Sequence, residues 1–200
     1  NGVWSRHPNR SEGEFSGDDL GIFEIDVELD FTGSAFDDEI VGSTLADSIS
    51  LLNGDDFVDA SSGNDIVRGG NGNDRIIGGY GNDRLFGGNH NDIIEAGVGT
   101  DTLIGGNGKD TLNGGTGNDL LAGGPGVDTA VFSSRNNTIN IATTRRQTTG
   151  DGKDILTGIE NVKGGGGDDI IHGNNAANTL RGEDDADKLY GNNGADKLYG

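Results

Sequence analysis

The chain contains no cysteine, only 2 prolines among its 200 residues, and only 6% aromatic residues. Without cysteine it has no disulfide framework, so rigidity in an oxidising space would need another source. So few large side chains exclude a conventional core, although the length alone would allow one or two domains. The core of this protein must therefore be thin.

Basic residues are also scarce, with 14 Lys and Arg against 34 Asp and Glu, so the formal net charge is -20. This charge argues against nucleic acid or an anionic membrane surface as a partner and favours cations. No apolar run approaches the roughly 18 residues of a membrane span, and the first residues, NGVWSRHPNR, carry no signal-peptide pattern. We expect no membrane span, and the abrupt start and mid-repeat end predict a segment of a longer protein.

Glycine is abundant, with 39 copies, and it belongs to a nine-residue repeat. Eleven aspartates follow one another at a spacing of nine without a slip, and an apolar residue comes two places after each. The period returns only after a gap that is not a multiple of nine, so an insertion either interrupts the stack or ends it and starts another. The repeat positions are Asp38, Asp47, Asp56, Asp65, Asp74, Asp83, Asp92, Asp101, Asp110, Asp119 and Asp128, then Asp169, Asn178, Asp187 and Asp196.

One repeat divides into a turn and a very short strand. The first part, of the type GGxGxD, suits a tight turn, because glycine reaches positive φ without steric cost. The remaining part fits a strand whose middle, aliphatic side chain points inward while its neighbours point outward. Two repeats together would form one coil of a flattened parallel β-solenoid in which one side chain per repeat enters the core.

The predicted stacking creates an electrostatic problem that cations would relieve. Coils about 4.8 Å apart place the aspartate of repeat n close to that of repeat n+2. Carboxylates roughly 5 Å apart at an effective dielectric of about 20 repel by about 3 kcal/mol. Carboxylate and carbonyl oxygens in irregular cages suit Ca²⁺ better than Mg²⁺. Zinc is disfavoured, because cysteine is absent and His7, His90 and His172 lie far apart in sequence.

The phrases GGNGNDRII, GGYGNDRLF, GGNGKDTLN and GGTGNDLLA resemble the nonapeptide GGxGxDxUx of the RTX (repeats-in-toxin) proteins. The resemblance implies an all-β fold, a parallel β-roll (a right-handed β-solenoid) in which two nine-residue repeats form each coil. It also implies several Ca²⁺ ions, held between the turns of repeats n and n+2. The family further implies a secreted, extracellular location reached by bacterial type I secretion.

The resemblance assigns the calcium ligands to the repeat aspartates, aided by carbonyls of the turn glycines. In the first block these are Asp56, Asp65, Asp74, Asp83, Asp92, Asp101, Asp110, Asp119 and Asp128, with Gly54, Gly63, Gly72, Gly81, Gly99, Gly108, Gly117 and Gly126. In the second block they are Asp169, Asp187 and Asp196, where Asn178 and Asp185 depart from the motif and predict weaker or incomplete binding. Phe36 and Leu45 replace turn glycines beside Asp38 and Asp47, which predicts an apolar cap there.

Four segments follow from the repeat boundaries. Residues 1–32 form an N-terminal edge whose alternating IFEIDVELDF, residues 22–31, predicts a lead-in strand, and residues 33–131 form the first block. Residues 132–163 form an insert that holds five of the 14 basic residues, and residues 164–200 form the second block, which we expect to be truncated. The insert is predicted to be a hairpin capping the first block, or else a contact site for an acidic glycan.

Sequence motifs of catalysis are missing. There is no HExxH, no EF-hand pattern, and Leu103 stands where a phosphate-binding loop needs its first glycine. The repeat explains every regularly spaced aspartate, so we predict that the segment is not an enzyme. The leading hypothesis is a calcium-driven folding and stabilising module of a larger secreted bacterial protein. The alternative is a module that attaches an extracellular enzyme to an acidic polysaccharide or a cell surface.

Overall fold

The computed structural model describes residues 28–133, 135–150 and 152–200, and this part of the chain consists of short strands and turns without an α-helix. No helix in these ranges is long and apolar enough to cross a membrane. The strands are β1 Asp30–Thr32, β2 Glu39–Val41, β3 Ser48–Asn53, β4 Phe57–Asp59, β5 Ile66–Asn71, β6 Arg75–Tyr80, β7 Arg84–Asn89, β8 Ile93–Gly99, β9 Thr102–Asn107, β10 Thr111–Asn113, β11 Thr116–Gly117, β12 Leu120–Ala122, β13 Thr129–Val131, β14 Thr138–Asn140, β15 Gln147–Thr149, β16 Gly152–Thr157, β17 Asn161–Gly165, β18 Ile170–His172, β19 Thr179–Glu183, β20 Lys188–Tyr190 and β21 Lys197–Tyr199.

Within the first block, each strand pairs in parallel with the strand of the repeat after next. Val67 of β5 lies opposite Ile49 of β3 on one side and Leu85 of β7 on the other, so paired strands lie two repeats apart. One ladder runs β1-β3-β5-β7-β9-β12-β16, and the other runs β2-β4-β6-β8-β10-β13-β17-β19-β21. Hydrogen bonds between successive coils join positions 18 residues apart, so the predicted parallel β-solenoid with two repeats per coil is confirmed.

The strands in the middle of the stack are longer than predicted. β5 continues through the first two glycines of the next repeat, and Gly70 pairs with Gly88 of the next coil. The strand therefore presents a second inward position, the first residue of each repeat. Leu51, Ala60 and Ala96 occupy that position and are fully buried, so the prediction of one core side chain per repeat is wrong for these repeats.

The insert returns the chain to both ladders. Leu156 of β16 lies opposite Leu121, and Val162 of β17 lies opposite Ala130. β14 stacks separately under β18 and β20, and β15 pairs antiparallel with β16. One apolar cluster of buried residues extends from Phe31 to Leu180, so the insertion interrupts the stack without ending it.

The described residues begin inside the lead-in strand predicted for residues 22–31. β1 forms its end and pairs with β3, with Phe31 opposite Ile49. The rest of that prediction, most of segment 1–32 and His7 lie outside the described residues.

Candidate metal centre

The repeat aspartates form a hydrogen-bonded row along each edge of the solenoid. From Asp56 to Asp128, Oδ1 of each repeat carboxylate accepts a hydrogen bond from the backbone N–H of the aspartate one coil earlier. The N–H of Asp65 donates to Asp83 Oδ1 at 2.9 Å, and that of Asp83 donates to Asp101 Oδ1 at 2.8 Å. The prediction that aspartates of repeats n and n+2 lie close together is therefore confirmed, and one oxygen of each carboxylate is a structural acceptor.

The second oxygen of these carboxylates is buried and has no hydrogen-bond partner. An unsatisfied buried polar atom costs free energy, so a whole row of such atoms calls for a ligand. These oxygens are Oδ2 of Asp56, Asp65, Asp74, Asp83, Asp92, Asp101, Asp110, Asp119, Asp128, Asp169 and Asp187. All of them belong to aspartates named from the sequence as ligands.

In repeats that begin with glycine, this first glycine leaves an open cradle beside the unpartnered oxygen. A Cβ on Gly69 would lie 2.2 Å from Asp74 Oδ2 and 2.7 Å from the carbonyl oxygen of Gly87, one coil further on. The same arrangement recurs at Gly87, where a Cβ would lie 2.3 Å from Asp92 Oδ2 and 2.6 Å from Gly105 O. At these glycines a carboxylate oxygen and a main-chain carbonyl therefore line one space that a Cβ would fill.

The sequence prediction named the glycines two places before each aspartate, and the ligand role of their carbonyls stays a prediction. A Cβ on Gly81 would lie only 1.4 Å from Gly63 O, so this position allows the backbones of successive coils to approach closely. A further carbonyl beside the unpartnered oxygen belongs to the first residue of the repeat one coil on, as Gly87 O does for Asp74. Its signal in the sequence is the first glycine of each GG pair.

Burial raises the pKa of the repeat aspartates. Removal from water raises the pKa of Asp65, Asp92 and Asp119 from 3.8 to about 7, although the hydrogen bond from the preceding backbone N–H lowers it in part. The same balance raises the pKa of Asp56, Asp101 and Asp128 to about 6 and also raises that of Asp83. Carboxylates held this way gain from a cation that replaces the lost water.

The chemistry of these sites fits calcium. In the described ranges no group of three or more His, Cys, Asp or Glu side chains converges on a common point. An ion between the coils would therefore take one or two carboxylate oxygens and complete its shell with main-chain carbonyls. Oxygen-only, irregular shells of this kind are typical of Ca²⁺ and untypical of Zn²⁺.

Comparison with protein families gives the same answer. The chain matches the family described as RTX calcium-binding nonapeptide repeat over residues 32–67, 68–103, 95–130, 104–139, 156–182 and 172–200. It belongs to this RTX family. As an RTX module the chain binds calcium, and its many repeats hold several ions. No curated protein matches it.

Two repeats at the start of the RTX module satisfy their aspartates internally. Asp47 Oδ2 accepts the N–H of Ser43 at 2.7 Å, and Oδ1 accepts the Ser43 hydroxyl at 2.9 Å and the N–H of Leu29 at 2.6 Å. Asp38 Oδ2 likewise accepts the N–H of Ser34 at 2.7 Å. Phe36 and Leu45, the predicted apolar cap residues, are exposed.

The second block of the RTX module resembles the first at only some positions. Asp169 and Asp187 have unpartnered Oδ2 atoms, and a Cβ on Gly164 would lie 2.1 Å from Asp169 Oδ2. Asp196 Oδ1 accepts the N–H of Asn178 at 2.9 Å, as the other aspartates do for their neighbours. Asn178 itself is internally bonded, since its Oδ1 accepts the N–H of Asn174 at 2.8 Å.

Sequence reasoning missed two acidic residues that continue the row through the insert. Asp154 Oδ1 accepts the N–H of Asp119 at 2.8 Å, and Glu160 Oε2 accepts that of Asp128 at 2.9 Å. Asp154 Oδ2 also accepts the hydroxyl of the buried Thr149. The signal was an acidic residue two places before an aliphatic one, at Leu156 and Val162, which the broken nine-residue count concealed.

Proposed function

We propose that this RTX module is a non-catalytic element that folds on binding calcium outside the cell and stabilises a larger bacterial protein exported by type I secretion. The observation that carries the proposal is the row of buried carboxylate oxygens without a partner. Such a row stabilises the folded state only when cations are present, so calcium concentration would control folding. The secreted location and the larger protein are what the family resemblance implies.

The proposed ligands are the aspartates with unpartnered oxygens, together with Asp196 and the turn carbonyls of their repeats. The carboxylates would attract the ion, and the carbonyl of the first repeat position of the next coil would hold it between coils. Each ion would then bridge two coils that otherwise repel each other. This arrangement explains why the same residues recur at every turn.

Calcium outside cells is abundant enough for this role. Extracellular calcium modules bind with affinities of roughly 10⁻⁴ to 10⁻³ M. At about 1 mM calcium such a site contributes about 0.4 to 1.4 kcal/mol, and at submicromolar calcium it contributes almost nothing. Several sites acting together therefore suffice to move the module between unfolded and folded states.

Far-UV circular dichroism tests the proposal. We expect a largely disordered spectrum in chelator and a β-rich spectrum in millimolar Ca²⁺, with millimolar Mg²⁺ failing to replace it. A spectrum that is the same with and without calcium would refute the proposal.

A second candidate is attachment to an acidic polysaccharide or cell surface. The observation favouring it is that arginines lie over aromatic rings on the outer faces, with Arg68 5.3 Å from the Phe86 ring centre and Arg181 4.3 Å from that of Tyr199. Lys163 precedes Arg181 in the same column, which gives a short basic and aromatic strip. Retention of the folded protein on an acidic but not a neutral polysaccharide, lost in Arg181→Ala, would support this candidate.

A further inference from the structure

The repeats of this chain fall into two backbone states that differ at the second residue of the turn. In every repeat with an unpartnered aspartate Oδ2, this residue has a positive φ, and we call such a repeat open. The second residues of the open repeats are Leu52, Ser61, Gly70, Gly79, Gly88, Gly97, Gly106, Gly115, Gly124, Gly165 and Glu183.

In three other repeats, which we call closed, the second residue does not have a positive φ. Its N–H donates a hydrogen bond to the carboxylate or amide oxygen of the sixth residue. The N–H of Ser34, Ser43 and Asn174 donates to Asp38, Asp47 and Asn178 at 2.7, 2.7 and 2.8 Å. In the closed repeats this N–H is the hydrogen-bond partner of the oxygen. In the open repeats the corresponding Oδ2 atom has no partner.

A second hydrogen bond stabilises the closed state. The side chain of the second residue accepts the N–H of the fourth, from Leu45 to Ser43 Oγ at 3.1 Å, from Phe36 to Ser34 Oγ at 3.1 Å, and from Ala176 to Asn174 Oδ1 at 2.8 Å. This is a local side-chain turn of the kind that Ser and Asn form readily. In all three closed repeats the fourth residue is not glycine and lies outside the positive-φ region.

A serine alone does not close a repeat. Ser61 is the second residue of its turn, yet its φ is +70° and Asp65 Oδ2 is unpartnered. Its turn has Gly63 in the fourth position, at φ +137°, where the closed repeats carry Phe36, Leu45 or Ala176. The state of the turn therefore follows the pair of second and fourth residues rather than the second residue alone.

We propose that this pair determines which repeats of the chain take an ion: Ser or Asn in the second position with a non-glycine fourth residue replaces the ion by internal donors. The inference rests on the proposed ligand role of the aspartates. The repeats of Asp38, Asp47 and Asn178 then form without calcium, and the space at Asp47 is otherwise suitable. A Cβ on Gly42 would lie 2.8 Å from Asp47 Oδ2 and 2.5 Å from Ala60 O, as in the open repeats.

The test is to open a closed repeat and count ions. The double variant S43G/L45G changes GSTLAD to GGTGAD, and we expect it to bind one more calcium ion per chain than the parent. Equilibrium dialysis with atomic emission gives the count, and circular dichroism verifies folding. The matched control S43G/L45G/D47N should return to the parent count, because it removes the carboxylate that the opened turn exposes.

A second variant, in the other block, repeats the test in case the first variant fails to fold locally. N174G/A176G/N178D changes GNNAAN to GGNGAD in the second block and should also gain one ion. A gain in either variant supports the proposal. Parent-level counts in both folded variants, or failure of both to fold in calcium, overturn it while the proposed function stands. A parent that binds no calcium would instead defeat the proposed function itself.

Discussion

At the scale of single residues, each repeat aspartate has two separate tasks divided between its two oxygens. Oδ1 of Asp83 ties its coil to the previous one through the N–H of Asp65, while Oδ2 is left for a ligand. The fold and the proposed ion site therefore use the same carboxylate. A substitution that keeps one oxygen and removes the charge separates the two tasks.

Asp83→Asn should raise the calcium concentration at the folding midpoint clearly, because an amide keeps the Oδ1 acceptor but loses the charged ligand oxygen. Asp47→Asn should shift the midpoint less, because it weakens the internal hydrogen bonds from Ser43 or Leu29 but removes no ligand oxygen. Calcium titrations of both variants by circular dichroism compare them. Equal shifts would show that the closed repeat binds calcium as well, and an unmoved Asp83→Asn would remove the aspartate row from the ligand set.

The aspartates could be predicted from sequence because nine-residue spacing makes them visible as a set. The division between open and closed turns could not, because it depends on the backbone conformation of a residue such as Ser43 or Ser61. The same residue type is closed in one turn and open in the other. Phe36 and Leu45 did indicate from the sequence that the repeats of Asp38 and Asp47 are exceptional. In the structure these repeats differ because internal hydrogen bonds satisfy their aspartates.

At the scale of strands, a ladder of single aliphatic side chains carries the core. Leu85 of β7 is fully buried between Val67 and Leu103, whereas Leu198 of β21 is 46% exposed. Because the layer is thin, neighbouring side chains have little freedom to fill a gap. The strand lengths could not be predicted from hydrophobicity, since most of the extra residues are glycines and asparagines, as in IVRGGN of β5.

Leu85→Ala should lower the free energy of unfolding in saturating calcium by about 2 to 5 kcal/mol, the usual range for a buried leucine. Leu198→Ala should cost much less, because half of that side chain is already in water. Urea unfolding followed by circular dichroism measures both. Similar losses in the two variants would contradict a core formed by the inner ladder.

At the scale of the whole molecule, the row of buried aspartates makes folding depend on pH as well as on calcium. In the ion-free fold the pKa of Asp65, Asp92 and Asp119 is about 7, above the ordinary 3.8. The charged carboxylates therefore destabilise this fold above about pH 7, and the destabilisation is lost as the pH falls through 7 towards 4. Protons and calcium compete for the same oxygens.

In chelator, the β signal in circular dichroism should therefore increase as the pH is lowered from 8 to 5. In the presence of calcium, the midpoint concentration for folding should fall over the same interval, because protons stabilise the folded chain whereas the unfolded carboxylates are still ionised at pH 5. A chelated protein that is equally disordered at pH 8 and pH 5 would show that the buried carboxylates are not what prevents folding.

The coarse architecture was predictable because every coil repeats the same rule, whereas the path of the insert was not. Asp154, Leu156, Glu160 and Val162 rejoin the row and the ladders after an irregular count of residues. The irregular count hides the acidic and aliphatic spacing of these residues, and stacking in three dimensions shows that they continue the first block. The basic residues of the insert gave no sign of this.

The constant offset of two repeats between paired strands also governs how the molecule would respond to force. Each coil occupies only about 4.8 Å of the axis, while its residues span roughly 60 Å when fully extended. A pull along the axis would load the hydrogen bonds of one terminal coil at a time, so the protein would lengthen by steps of roughly 55 Å. Ions bound between coils would set the force of each step, which makes calcium a control on mechanical strength.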